Sequence, residues 1–382
     1  MTILFVRKFN YSIVKHGRFS IFLAINTVCI LNNALQKYVS ELNKNYKTES
    51  MVLKVAFFDS KPYDETSFKK ANEKYGFDIR FYKGHLNKDN VVLSKGADVV
   101  CIFVNAVVDA NVIDDLIENG VKLIALRCAG YNNVDIKAAH NRIKIVRVPA
   151  YSPYAVAEHT LTLMLTLNRK THKAYSRTRE GNFSLNGLLG FDMHEKTAGM
   201  IGTGKIAKIL IQTLCGIGMK IVAYDLYPDK EFAKQYNVEY VSLDELYSRS
   251  DIISLHCPLN KDTEYIIDTD SIAKMKDGVM IINTGRGKLI HTHALIKGLK
   301  SKKIGAAGLD VYEEESDYFF EDRSNNVMDD DVLARLLSFN NVIVTSHQAF
   351  FTKEALENIA ETTLMNIQDF VDGKVLVNEV TI

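Results

Sequence analysis

From residue 51 to residue 345 the chain alternates short β-rich runs with helical runs, and no other feature restricts its possible folds as strongly. The first series of predicted strands comprises Lys54–Phe58, Asp98–Val104, Lys122–Leu126 and Lys144–Val148. The second series comprises Thr197–Ile201, Lys220–Tyr224, Asp251–Leu255, Val279–Ile282, Ile304–Leu309 and Val342–Thr345. Strands that alternate with helices are joined by right-handed crossovers and form parallel sheets. The pattern therefore predicts the α/β class, with two doubly wound parallel-sheet domains and a cleft between them.

The two series are separated by a break at residues 148–153. Two of the five prolines of the chain, Pro149 and Pro153, fall there, and the periodicity is lost. Ser152 is a good helix N-cap and Pro153 suits a first helical turn. A long amphipathic helix is therefore predicted from Ala155 towards Arg177.

A last helix, predicted at Lys353–Phe370, is expected to return to the first domain. The chain would then cross between domains twice, near Tyr151 and near Phe350. The predicted domains are residues 51–151 with 349–382, and residues 152–348.

Residues 1–50 differ from the rest of the chain. No acidic residue occurs before Val39, whereas five basic residues do, and the apolar stretch Phe19–Leu31 is too short and too polar for a membrane span. Three interpretations stand: a start codon assigned too early, an organellar or export signal, or a folded functional part. In each case this extension is left out of the predicted fold.

A GxGxxA fingerprint directly follows the predicted strand Thr197–Ile201 and opens a predicted helix. Gly202 permits the tight turn, Gly204 lets the backbone approach a pyrophosphate, and Ala207 allows close packing of helix on strand. The backbone N–H groups at the helix start, from Lys205 and Ile206, are suited to bind phosphate.

The strand Lys220–Tyr224 ends in Asp225, 21 residues after Gly204. An acid at this point accepts hydrogen bonds from ribose hydroxyls and repels a 2′-phosphate, so the spacing predicts NAD over NADP. Because ligands bind at the carboxyl ends of the strands in such sheets, further cofactor contacts are predicted where later strands end. These candidates are Cys257, Pro258, Thr284, Gly285, Arg286 and Asp310.

Hydride transfer to a 2-keto acid needs a proton donor, a cation for the carboxylate and a group that tunes the donor. Among ten histidines, His347 follows a strand at the second expected crossing, whereas His256 precedes Cys257-Pro258 and is interpreted as a packing residue. Arg286 lies between two glycines, and its planar guanidinium matches a carboxylate. For the tuning acid, the spacing leaves Glu313, Glu314 and Glu315 all open.

Taken together, these segments resemble the D-2-hydroxyacid dehydrogenase family, most closely its bacterial fermentative branch. The resemblance extends from about Met51 to Val380 and rests on residues 126–135, 147–153, 202–207, 256–259, 281–287, 308–313 and 347–350. It implies a Rossmann nucleotide domain beside a flavodoxin-like substrate domain. It also implies that Arg286 binds the substrate carboxylate, that His347 donates the proton, and that Glu315 is the catalytic acid paired with the histidine.

The resemblance implies further contacts around the same centre. The backbone N–H groups of Ala129 and Gly130 would help to hold the carboxylate, and Tyr151 would contact the substrate. Phe350 would form a wall beside its methyl group, and Asp310 would hold the nicotinamide carboxamide. The activity implied is reversible, NADH-dependent reduction of pyruvate to D-lactate. Alternatives left open are reductases of hydroxyisocaproate type, of phenylpyruvate or of glyoxylate, and an NAD-sensing corepressor that binds without turnover.

Composition restricts the partners. With 47 basic and 46 acidic residues the net charge is +1, which gives no electrostatic reason to expect nucleic acid or an anionic membrane. The five scattered cysteines lack a CxxC pair, so reduced thiols and no metal site are expected. A small 2-keto or 2-hydroxy acid is the predicted substrate partner. The expected protein is cytoplasmic and forms a homodimer or homotetramer.

Overall fold

The computed structural model describes residues 52–314 and 318–381 and contains two parallel β-sheets. The strands of the first sheet are β1 (Lys54–Phe57), β2 (Asp78–Phe81), β3 (Val99–Ile102), β4 (Leu123–Leu126) and β5 (Lys144–Val146). The strands of the second are β6 (Thr197–Ile201), β7 (Lys220–Tyr224), β8 (Val238–Tyr240), β9 (Ile252–Leu255), β10 (Val279–Asn283), β11 (Ile304–Leu309) and β12 (Val342–Val344). The predicted α/β class with two doubly wound parallel sheets is confirmed.

The strand orders match the two expected folds. The first sheet has the order β2-β1-β3-β4-β5, which is flavodoxin-like, and its switch point lies between β1 and β3. The second has the order β12-β11-β10-β9-β6-β7-β8, which is a Rossmann order extended by one strand, and its switch point lies between β6 and β9. Central strands such as β4 and β10 are buried over their whole length, as expected when both faces are covered.

Helices cover both sheets. They are α1 (Pro62–Asn72), α2 (Ala110–Glu118), α3 (Ile136–Ala139), α4 (Pro153–Arg169), α5 (Thr171–Arg179), α6 (Lys205–Gly216), α7 (Lys230–Tyr236), α8 (Leu243–Arg249), α9 (Thr269–Lys274), α10 (Thr292–Lys300), α11 (Asp331–Leu337) and α12 (Lys353–Val371). Ser152 caps α4 as predicted, since its hydroxyl accepts a hydrogen bond from the N–H of Ala155 at 3.2 Å.

Two edge strands and one helix break were not predicted. The strands β2 and β8 have four and three residues and lie at the sheet edges, and all their side chains except Val238 are exposed or half-buried, so they lack the apolar run that marks a central strand. The prediction of one helix from Ala155 towards Arg177 was wrong at one point. Lys170 adopts a left-handed conformation with φ of 51°, which ends α4 and begins α5.

The C-terminal helix α12 returns to the first sheet, as predicted. It packs against α1, and Lys70 Nζ lies 2.8 Å from Glu357 Oε1 across this contact. Beyond it, the N–H of Val380 donates a hydrogen bond to the carbonyl of Ile145 on β5 at 2.8 Å. Within residues 52–314 and 318–381, no helix combines the length and apolarity that a bilayer span requires. Residues 1–50 lie outside the described residues.

Candidate active site

The turn after β6 is built for a close approach of backbone to a ligand. Gly202 has φ of +90°, and a Cβ built there would lie 2.6 Å from the Cys257 nitrogen, so only glycine fits without a shift. Gly204 is different, because among the described residues no atom other than those of its immediate chain neighbours lies within 4 Å of a Cβ built on it. This open space lies at the start of α6, where the N–H groups of Lys205 and Ile206 begin the helix. A pyrophosphate fits these features.

Asp225 lies at the end of β7 and holds the glycine turn. Its carboxylate accepts hydrogen bonds from the Thr203 N–H at 2.6 Å, the Thr203 hydroxyl at 2.9 Å and the Tyr227 N–H at 2.8 Å. Burial alone would raise the pKa of Asp225, but these hydrogen bonds outweigh it and lower the pKa. The carboxylate is therefore ionised at neutral pH and suited to accept ribose hydroxyls.

The other predicted cofactor contacts also lie where strands of the second sheet end. Cys257 is half-buried and Pro258 exposed after β9, and Gly285 is half-buried after β10. Thr284 is buried and its hydroxyl lies 2.9 Å from that of Thr160 on α4. His256 has the contacts expected of a packing residue, since Ser254 Oγ lies 2.8 Å from its Nε2 and burial lowers its pKa to about 4.

At the predicted carboxylate site, Arg286 of the second sheet lies close to a loop of the first sheet. It follows β10, and its Nη2 would lie 2.9 Å from a Cβ built on Gly130, which follows β4. Its Nη1 donates to the carbonyl of Gly285 at 2.8 Å. Gly287 is required for another reason, because a Cβ there would overlap the Tyr312 carbonyl. The guanidinium thus faces the Ala129–Gly130 loop, where a carboxylate could be bound by both.

His347 lies on a strained turn that a buried carboxylate holds in place. The residue has φ of 52°, and its N–H donates to the Asp310 carbonyl at 2.7 Å. The fully buried Asp310 carboxylate accepts hydrogen bonds from the N–H groups of Gln348 and Ala349, each at 2.9 Å, and from the Thr345 hydroxyl at 2.5 Å. Left-handed non-glycine residues cluster at functional sites and need such support.

The three acids that followed Asp310 in the sequence are not equivalent. Glu313 already has a partner, because its carboxylate accepts a hydrogen bond from the N–H of Thr292 at 2.9 Å at the start of α10. Glu314 is exposed. Glu315 lies outside the described residues, so its pairing with His347 stays a prediction.

Aromatic rings form one side of the site. The Phe350 ring centroid lies 6.1 Å from that of Phe103, which follows β3, and 6.2 Å from that of Tyr151. Phe320 lies 5.2 Å from Phe103 and 5.8 Å from the His347 ring. Burial raises the pKa of the Tyr151 hydroxyl, which remains neutral. The predicted contacts Tyr151 and Phe350 therefore share one apolar wall.

Sequence reasoning missed several residues of this site. His159 on α4 lies with its Nε2 3.3 Å from Asp310 Oδ1, and neither it nor Thr345 carries a local motif. Phe103 and Phe320 were missed as well, although the run Tyr318-Phe319-Phe320 is conspicuous in an acidic stretch and could have signalled an apolar contact. Asp310 was predicted as a cofactor contact, but its role in holding the His347 turn was not.

Comparison with known proteins agrees with this geometry. Residues 161–349 match the family model described as D-isomer specific 2-hydroxyacid dehydrogenase, NAD binding domain. A 2-hydroxyacid dehydrogenase homolog of Haemophilus influenzae is 52% identical over 85% of this chain and 98% of its own length. The D-lactate dehydrogenase of Escherichia coli is 49% identical over 86% of this chain and 99% of its own. The apo structure of the Escherichia coli enzyme superposes with a TM-score of 0.80, at 46% identity, over 86% of this chain and 100% of that one.

This arrangement is typical of a nicotinamide-dependent dehydrogenase. It combines two α/β sheets and a dinucleotide turn with a histidine, an arginine and a buried aspartate at the strand ends. The chain belongs to the D-isomer specific 2-hydroxyacid dehydrogenase family. It is an NAD-dependent oxidoreductase, and NAD is its cofactor.

Proposed function

We propose that this protein catalyses the reversible, NADH-dependent reduction of pyruvate to D-lactate. The observation that carries the proposal is the position of Arg286 against Gly130, with an aromatic wall nearby that contains Tyr151 and Phe350. A guanidinium beside backbone N–H groups suits a small carboxylate, and a wall of large rings leaves room for a small substituent such as a methyl group. The Escherichia coli relative named D-lactate dehydrogenase supports the same substrate.

In this proposal each residue has one task. When bound, the reduced nicotinamide supplies the hydride that is added to C2 of the keto acid. Arg286 and the N–H groups of Ala129 and Gly130 hold the carboxylate, and the guanidinium polarises the adjacent carbonyl. His347 donates a proton to the carbonyl oxygen, and Glu315 stabilises the imidazolium that must be present before that transfer.

The remaining contacts serve the cofactor. Gly202 and Gly204, with the N–H groups of Lys205 and Ile206, hold the pyrophosphate, and Asp225 accepts the ribose hydroxyls and selects NAD over NADP. Further contacts come from Cys257, Pro258, Thr284, Gly285 and Asp310. We place the domain boundaries after residues 151 and 348, so that the substrate is bound where the two domains face each other.

Steady-state kinetics test the proposal. Pyruvate, 2-ketoisocaproate, phenylpyruvate and glyoxylate are each reduced with NADH and with NADPH, and the product of pyruvate is resolved on a chiral column. We expect the highest kcat/KM for pyruvate with NADH, and D-lactate as the product. A higher kcat/KM for another acid would identify that acid, and not pyruvate, as the preferred substrate. NADH binding without oxidation by any of the acids would favour a corepressor-like sensor.

We also propose a cytoplasmic homodimer or homotetramer that binds neither nucleic acid nor membrane. The near-neutral net charge of +1 supports the lack of polyanionic partners. Sedimentation velocity at micromolar concentration measures the assembly, and a single monomeric species would contradict it.

A further inference from the structure

The segment Tyr318–Glu321 places consecutive side chains in different parts of the molecule. Phe319 is buried in the hydrophobic core of the second sheet. The Tyr318 hydroxyl accepts hydrogen bonds from the N–H groups of Asp329 and Asp330, each at 3.0 Å. The start of the segment is therefore attached to the nucleotide-binding side of the protein.

Phe320, the next residue, points into the proposed active site. Its ring lies 5.8 Å from the His347 ring, 5.2 Å from Phe103 and 6.5 Å from Phe350, measured between centroids. Its backbone has φ of 68°, a conformation that a bulky side chain adopts only when its surroundings impose it. The contacts on both sides of Phe320 must therefore hold it.

Glu321 supplies the contact on the far side, with the first sheet. Its Oε1 lies 2.7 Å from Lys61 Nζ and 3.5 Å from His85 Nε2. Both partners are tied to Asp59, which is buried at the end of β1: Lys61 Nζ lies 3.2 Å from its Oδ1, and His85 Nδ1 lies 3.2 Å from its Oδ2. The Lys61 ammonium thus lies between two carboxylates and links the segment to the substrate-binding side.

The Phe103 ring that Phe320 contacts is itself held by a buried arginine. The Arg127 guanidinium is fully buried and lies 4.5 Å from the Phe103 ring centroid on one side and 4.7 Å from that of Phe57 on the other. Its Nη2 donates to the carbonyl of Asp59 at 2.5 Å. The Arg127 guanidinium therefore supports both Phe103 and Asp59, the residue that orients Lys61.

We propose that Phe320 is a specificity-determining residue that limits the size of the 2-keto acid beside His347, and that Glu321 is the positioning residue that holds it there through Lys61. This inference rests on the proposed reduction of a small 2-keto acid. Because Phe319 is fixed in one core and Glu321 is bound to the other sheet, Phe320 covers the pocket only while both attachments hold. Loss of either attachment or of the ring should enlarge the pocket towards bulkier acids.

The test compares kcat/KM for phenylpyruvate with that for pyruvate in wild type, Phe320→Ala, Phe320→Leu and Glu321→Gln. Phe320→Ala should raise this ratio by roughly tenfold or more, since each methylene group in a pocket changes discrimination by about that factor. Phe320→Leu keeps an apolar side chain and should give a smaller rise. Glu321→Gln keeps the shape but removes the charge, and should raise the ratio by roughly two- to fivefold, through KM more than kcat.

The matched control is Glu357→Gln. It removes a solvent-exposed ion pair with Lys70 of 2.8 Å that joins α12 to α1, and should leave the ratio unchanged. An unchanged ratio in both Phe320 variants would overturn the specificity role. An equal change in Glu321→Gln and Glu357→Gln would reduce Glu321 to a general structural contact. If wild type prefers an acid other than pyruvate, the proposed substrate fails but the ratios still decide the role of Phe320.

Hydrogen–deuterium exchange gives a readout that does not depend on turnover. Peptides that contain Tyr318–Glu321 should exchange faster in Glu321→Gln than in wild type, and Glu357→Gln should not change them. Equal exchange in all three proteins would overturn the positioning role even if no keto acid is reduced.

Discussion

The dinucleotide turn and the proposed acid/base centre both lie at strand ends, but they are assembled differently. In the turn, Gly202, Gly204 and Asp225 lie within 24 residues, and their contacts are mostly with one another or with the adjacent strand. In the centre, Arg286 faces Gly130, and His347 faces Phe320 and is held by Asp310. The first site is a local motif, whereas the second exists only when distant segments meet. This difference predicts how each site responds to substitution.

The largest expected effect is on the acid/base centre. His347→Asn should lower kcat/KM for pyruvate by about 10²- to 10⁴-fold, because the proposed proton donor is lost. Asparagine tolerates the left-handed φ of 52°, so the turn should survive better than with alanine. NADH affinity, measured by fluorescence titration, should stay near wild type, and the exposed His140→Asn serves as control. Unchanged turnover in His347→Asn would exclude the histidine as proton donor.

The second prediction contrasts two glycines of the local motif. Gly202→Ala should destabilise the protein by about 2–4 kcal/mol in urea unfolding, because its Cβ would lie 2.6 Å from the Cys257 nitrogen at a φ of +90°. Gly204→Ala has room in the protein and should change stability by less than about 0.5 kcal/mol, yet weaken NADH binding roughly tenfold. Tight NADH binding by Gly204→Ala would mean that the pyrophosphate does not approach this position.

The smallest expected effect concerns His85, which helps to join the two sheets through Glu321. A hydrogen bond with Asp59 raises the pKa of His85, against the effect of burial. Its contribution to stability is therefore fully present below about pH 6.5 and is lost as the pH rises through the raised pKa. His85→Gln should cost less than about 1 kcal/mol at pH 6, since the side chain is 28% exposed, and less still at pH 9. A cost that grows with pH, measured by urea unfolding, would contradict this assignment.

Most of the fold could be predicted from local patterns in the sequence, but some elements could not. The class, the two sheets, the central strands and the dinucleotide turn follow from periodicity and from residues that are neighbours in the chain. The edge strands β2 and β8 were missed because exposed strands lack an apolar run. The break at Lys170 was missed because a single left-handed residue leaves no signature when it is not glycine.

The site shows the same division in finer detail. His347, Arg286 and Asp310 were predicted as site residues because each follows a strand, and parallel sheets bind ligands where their strands end. Their partners were not found: His159 and Thr345 beside Asp310, and Phe320 beside His347, carry no motif of their own. The spacing also did not choose among Glu313, Glu314 and Glu315 as the acid paired with His347. The hydrogen bond of Glu313 with Thr292 argues against Glu313 in that role.

The alternation that builds two parallel sheets, the glycine turn and the acid proposed to favour NAD all follow from residues close together in the chain, because they depend on local sterics and hydrogen bonds. Tertiary structure alone decided that Asp310 holds the His347 turn, that Arg286 faces Gly130 and that Glu321 reaches Lys61. Those contacts join residues from 35 to 260 positions apart, and only the packing of the completed sheets brings such residues within bonding distance.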